Sequence, residues 1–174
     1  MNARGRVEVA ILPILTWPDP RLSTPCAPVG NEDIAHLAAD MLETMYAAPG
    51  RGLAAPQVGI LKRLFVMDVA WKDGTPAPRV VINPQILWRS DDTATGPEGC
   101  LSIPGISTDI TRATQIRMTW VNEQGESQDE ILTGFSAICA QHEYDHLDGI
   151  VTFDRLSPDL RTATQAAYLD RSPT

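Results

Sequence analysis

Two histidines four residues apart, with a glutamate directly after the first, constrain this chain more than any other feature: Gln141-His142-Glu143-Tyr144-Asp145-His146. On an α-helix four residues turn the side chain by roughly 400°, so both imidazoles leave one face about one turn apart. That geometry suits two ligands of a single divalent metal, with the glutamate free to handle the proton of a water activated there. It points to metal-assisted hydrolysis without naming a substrate. The plain alternative is a polar helix face carrying ordinary surface histidines. Composition weighs against it, because the chain holds 3 histidines and two of them sit here.

A chain of 174 residues is expected to be one domain, residues 1–174, with a real hydrophobic core. A net charge of −8 is the wrong sign for a nucleic-acid protein, which needs a basic face to displace phosphate counterions. No apolar run approaches the ~20 residues that span a bilayer, so no membrane role is expected. Arg4 and Arg6 precede an apolar patch from Val7 to Leu15, but Glu8 and Pro13 interrupt it and no small-residue cleavage site follows. A signal peptide is not expected. Cys26, Cys100 and Cys139 are odd in number and widely spaced, which fits a reduced cytoplasmic protein better than a disulfide framework.

Hydrophobic period places the elements. Residues 16–30, with Pro18, Pro20, Pro25 and Pro28, read as an extended or turning arm wrapped on the surface. A first helix is predicted from about Asn31 to Ala48, capped by Asn31 and ended by Pro49-Gly50. Leu64–Val69 and Val80–Ile82 read as strands, and Ile116–Val121 and Glu130–Leu132 flank a hairpin turn at Asn122–Gly125. The histidine helix is predicted over Ser136–Leu147 with Gly149 as its stop, and a short amphipathic helix near Leu160–Leu169. Strand groups around two or three helices indicate an α+β domain with antiparallel sheets.

A helical histidine pair needs at least one further protein ligand to hold a hydrolytic metal with an open position. Downstream, Gly149 is followed by Thr152 where some helix-pair hydrolases place a third histidine, and no glutamate occurs after Glu143. Upstream stands Glu98-Gly99-Cys100-Leu101-Ser102, whose thiolate is a strong ligand and whose Gly99 lets backbone approach closely.

Three separated pieces now agree: Gly50-Arg51-Gly52-Leu53-Ala54-Ala55-Pro56-Gln57, the Glu98–Ser102 segment, and Gln141–His146. In this order they resemble the three motifs of the peptide deformylases, hydrolases that remove the N-formyl group from new polypeptides. Ile11–Leu22, Met41–Ile60 and Leu132–Leu147 look like that family as well. The resemblance implies antiparallel sheets packed around a central metal-binding helix. It implies Cys100, His142 and His146 as ligands of one divalent ion, with Fe2+ expected and Zn2+, Ni2+ or Co2+ able to substitute. Glu143 would be the general base and acid, and Gln57 with the Leu101 N–H would stabilise the oxyanion.

The implied substrate is an N-formylmethionyl peptide lying as an added strand along Gly50, Gly52 and Gly99. Phe135, Ile138 and Cys139 are candidates for its methionine pocket, with ordinary helix core as the alternative. Glu98 and Asp145 are candidates for orienting the ligands. Two positions depart from the family pattern. Ser107 stands about where an arginine often follows the cysteine segment, the nearest being Arg112, and Arg51 stands where an aliphatic residue is common. A transient ribosome association is a family expectation, but Arg161 and Arg171 in the tail are balanced by Asp159 and Asp170. Two other readings stay open: a zincin-type endopeptidase, and a silent paralogue that binds N-terminal peptides.

Overall fold

The computed structural model describes residues 8–171, so the basic start of the chain at Arg4 and Arg6 lies outside it. Strands β1 (Gly52–Ala54), β2 (Leu64–Met67), β3 (Arg79–Arg89), β6 (Gln115–Val121) and β7 (Ser127–Thr133) form one antiparallel sheet in the order β1-β2-β3-β6-β7. A long antiparallel hairpin of β4 (Thr93–Cys100) and β5 (Ile103–Ala113) forms a second sheet. Helices α1 (Ala35–Ala47), α2 (Gly134–Leu147) and α3 (Pro158–Arg171) complete the fold.

All four side chains of β2 are buried, which explains its unbroken apolar run. Because side chains alternate along a strand, Leu64 and Val66 face one way and Phe65 and Met67 the other. The first pair joins Met41 and Met45 of α1 with Leu53, Val80 and Ile82. The second pair joins Val81, Ile116, Met118 and Leu132 with Ala137, Ala140 and Leu147 of α2. The sheet is thus covered by α1 on one face and by α2 on the other. Burying each of Met41 and Met45 contributes roughly 1.5–3 kcal/mol. The small Ala137 and Ala140 let α2 sit close to the strands, with its opposite face turned to the β4–β5 hairpin.

Three boundaries differ from the expectation. The first helix begins at Ala35 rather than near Asn31; the Asp33 carboxylate accepts from the Ala35 N–H at 2.9 Å, while Asn31 makes no cap. The proline segment turns along the surface as expected, but it also sends side chains into the core. Pro20–Ser23 forms a 3-10 turn, capped by Asp19, that drives Leu22 into full burial with Ile103, Val151, Phe153 and Tyr168. Trp17 packs edge-on against Phe153 and Tyr168, tying this segment to α3. Finally, the β4–β5 hairpin and short β1 were not anticipated. Gly96, Pro97, Gly99, Pro104 and Gly105 are poor strand formers, so Thr93–Ala113 lacks the usual pattern.

The end of α2 is fixed from two directions. Arg63 donates to the Leu147 carbonyl at 3.1 Å and pairs with Asp148 at 2.9 Å, satisfying a carbonyl that the helix leaves free. Gly149 then turns the chain with φ +74, and a Cβ there would lie 2.8 Å from the Ser23 carbonyl carbon. The three nearest atoms, from Ser23 and Thr24, are all backbone and cannot swing aside. Gly149→Ala is therefore expected to lose about 2–5 kcal/mol, combining left-handed strain of ~1–2 kcal/mol with overpacking of ~1–3 kcal/mol. A chemical-denaturation midpoint equal to that of the parent chain would contradict this.

Candidate metal centre

Helix α2 brings His142 to the lining of a cleft of about 500 Å³ and holds the buried His146 behind it, with ring centroids 5.0 Å apart. Cys100 arrives from the second sheet. It ends β4 at a register shift beside Gly99, and Cys100 pairs with Ile103 across the tight Leu101-Ser102 turn. An irregularity of this kind re-aims a side chain, here toward the helix. The Cys100 Sγ lies 3.5 Å from His146 Nε2. One ligand atom from each of Cys100, His142 and His146 lies within 4.8 Å of the others.

This spacing fits an ion. With metal–sulfur and metal–nitrogen bonds of about 2.3 and 2.0–2.1 Å, a tetrahedral sulfur–nitrogen edge is about 3.6 Å. The donor set of one thiolate and two imidazoles suits zinc, iron, nickel or cobalt better than magnesium or calcium. His142 Nδ1 lies 2.9 Å from Glu98 Oε1, which leaves Nε2 for the ion. Without a cation, burial opposes charge on His142, but the Cys100 sulfur and the Glu98 carboxylate push its pKa well above the usual value. Burial, reinforced by His142 and Arg112, drives that of His146 well below it.

Glu143 is buried beside them, and its Oε2 has no hydrogen-bond partner among the described residues. Burial pushes its pKa up to about 7, against the opposing pull of His142 and Arg112. The space it needs comes from Gly52: a Cβ at that position would fall 2.5 Å from Glu143 Oε1. Gly50 likewise makes room for Leu101, whose Cδ1 would lie 2.8 Å from an added Cβ. The two glycines thus have packing reasons besides keeping the loop slim. Gly99 has open space where a Cβ would go.

Gln57 is buried in the turn after β1. The Ala54 N–H donates to its Oε1 at 2.9 Å, which settles the orientation of the amide. Its Nε2 then faces Ser102 Oγ at 3.0 Å and Cys100 Sγ at 3.7 Å. Leu101 lines the cleft next to Cys100, and Phe135, Ile138 and Cys139 line it from the start of α2. Phe135 is half exposed, whereas Cys139 is buried with its thiol on the Arg51 carbonyl.

Sequence reasoning missed the hub of the site, Arg112. Its guanidinium makes a two-toothed pair with Glu98 (2.7 and 2.9 Å) and reaches Asp145 Oδ2 at 2.9 Å. Arg155 closes on Asp145 from the other side. A chain of contacts therefore runs from His142 through Glu98, Arg112 and Asp145 to Arg155. Burial works against charge on Glu98, yet the bonds from His142 and Arg112 hold its pKa down at about 2. Asp145 reaches the ligands only through this network. No local pattern marks Arg112; its neighbours on β5 are ordinary strand residues, and the contacts span 14 and 33 positions.

Arg112→Met strips the buried Glu98 of its guanidinium and leaves Asp145 with Arg155 alone. We expect a loss of about 3–5 kcal/mol in stability and a metal affinity about 10–100-fold weaker. A denaturation curve and a metal titration matching the parent would contradict both.

A cysteine sulfur, two imidazoles and a buried carboxylate gathered at an open cleft define a site suited to metal-assisted hydrolysis. The sequence profile described as polypeptide deformylase matches residues 11–162, and the chain belongs to that family. A peptide deformylase of Alkalilimnicola ehrlichii is 52% identical over 151 residues, covering 86% of this chain and 84% of its own. The crystal structure of peptide deformylase from Ehrlichia chaffeensis in complex with actinonin superposes with a TM-score of 0.87 at 36% identity, covering 95% of this chain and 99% of that one. The Thermus thermophilus peptide deformylase gives a TM-score of 0.84 at 41% identity, covering 94% and 95%. The α+β expectation agrees with these neighbours.

Proposed function

We propose that the chain is a peptide deformylase that hydrolyses the formamide of N-formylmethionyl peptides, releasing formate and a free N-terminus. One observation carries the reading: a sulfur and two imidazoles within 4.8 Å of one another, beside a buried carboxylate, at a cleft large enough for a peptide end. Cys100, His142 and His146 would hold one divalent ion, with ferrous iron the expected occupant and zinc, nickel or cobalt able to replace it. When bound, the ion supplies Lewis acidity and makes water a competent nucleophile at neutral pH.

The chain's own residues manage protons and charge. Glu143 takes a proton from the attacking water and passes it to the departing amine. Gln57 Nε2 and the Leu101 N–H meet the negative charge that grows on the formyl oxygen. The Ala54 N–H supports the Gln57 role, because it keeps the amide from rotating its oxygen toward that charge. The peptide continues along β1, an edge strand with one side free for pairing. Gly50, Gly52 and Gly99 flank its path, and the methionine side chain enters between Phe135, Ile138 and Cys139.

Among the described residues no helix is long and apolar enough to cross a membrane. We assign the activity to the cytoplasm, where new polypeptides are made. The test is formate release from formyl-Met-Ala-Ser by protein handled anaerobically, with iron or nickel restored. Fully metallated protein that releases none would overturn the proposal; cleavage of internal peptide bonds instead would favour an endopeptidase.

A further inference from the structure

The cleft carries two cations that this chemistry does not use, Arg51 and Lys72. Acidic residues outnumber basic ones 22 to 14, and Arg21, Lys62, Arg63, Arg79, Arg117 and Arg161 all hold carboxylate partners. Arg51 and Lys72 hold none among the described residues. Neither carboxylate that lines the same cleft pairs with them. Glu98 is taken by Arg112 and His142, and Glu143 lies buried behind Gly52.

Both cations rest on aromatic rings instead. The Arg51 guanidinium carbon stands 5.1 Å from the centre of the Phe135 ring, and its Nε is buried without a partner. Lys72 Nζ stands 5.6 Å from the Trp71 ring. That indole is itself fixed: Nε1 donates to the Gly50 carbonyl at 2.9 Å, and Tyr46, anchored on Asp68, packs edge-on against it. Both charges are therefore mounted on the wall that begins at the glycine loop. Arg51, partly buried on its ring, has given up part of its water and still lacks a counter-ion, while Lys72 is exposed and adds its charge from the solvent side. In a cleft with low-dielectric walls, the pull of Arg51 on a carboxylate exceeds that of a free surface charge.

We infer that Arg51 and Lys72 make this cleft select formyl peptides with acidic side chains downstream of the formylmethionine. The inference rests on the deformylase reading and adds a substrate class to it. The chain's overall charge of −8 repels acidic peptides at long range, so the preference comes from the cleft itself. It acts through substrate binding, in KM rather than kcat, because neither cation reaches the reacting atoms.

The test compares formyl-Met-Glu-Glu, formyl-Met-Ala-Ser and formyl-Met-Lys-Lys on the nickel-loaded protein at low ionic strength. Ratios of kcat/KM taken within one preparation cancel any difference in active fraction. The acidic peptide is expected to exceed the neutral one by about three- to fivefold, and the basic one to fall below it. Lys72→Glu should shift the order toward the basic peptide. The ratio should approach one in the Arg51→Leu, Lys72→Ala double variant, and also near 1 M salt, where the Debye length is about 3 Å. A parent ratio at or below one, or a preference that survives in the double variant, overturns the inference. Equal formate release from all three peptides removes this inference alone; release from none removes the deformylase reading with it.

Discussion

Glu143→Ala is expected to fold and to keep its metal while formate release falls by about 10²–10⁴-fold. The side chain forms no hydrogen bond at Oε2, and its other oxygen fills the space a Cβ would need at Gly52. Its removal therefore orphans no partner, and stability should hold or rise slightly. The three ligand atoms come from other residues, so metal content per chain stays at the parent value. What disappears is, among the described residues, the only buried carboxylate beside the ligands that is free to accept a proton; Glu98 is committed to Arg112 and His142. Glu143→Gln should behave alike, since the amide matches the shape without the basicity. Near-normal turnover in either variant would remove the proton-transfer role.

Cys100→Ala is expected to lose tight metal binding altogether, and formate release with it. The effect should exceed the roughly 10–100-fold that loss of an outer partner costs. Two imidazoles on one helix offer a divalent ion only two contacts. The thiolate supplies the third, along with the negative charge that offsets the cation. The fold should survive, because Cys100 is only partly buried and sits at a hairpin end. Serine at this position keeps the size but offers a weaker ligand, so it should restore little. Unchanged metal affinity in Cys100→Ala, measured by competition with a chelator, would refute the assignment of the sulfur.

The helix that carries His142 and His146 was legible because its information is local: a four-residue interval has one geometry on a helix. The same holds for the Asn122–Gly125 turn and for β2, whose apolar run spans the whole element. The start of α1 was misjudged because Asn31 and Asp33 are both good caps; Asp33 holds the Ala35 N–H, while Glu32 is drawn to the Gly30 N–H and Lys62. Leu22 looked like part of a surface arm because no period surrounds it. Only the packing of Trp17, Phe153 and Tyr168 makes a pocket for it.

By itself, then, the order of residues determined the kind of chemistry: a helical histidine pair, an intervening carboxylate, and a cysteine segment whose family pattern named it a partner. Tertiary structure alone decided the rest. Only folding brings Sγ of Cys100 to 3.5 Å from His146, across 46 positions, and turns Gln57 Nε2 toward both that sulfur and Ser102. Only folding makes Arg112 the cation shared by Glu98 and Asp145, gives Gly52 its duty to Glu143, and leaves Arg51 and Lys72 on aromatic faces without carboxylates. The reason is physical. Helical spacing is written in bonds a few residues long, whereas a salt bridge or a missing Cβ acquires meaning only from the atom that arrives opposite it.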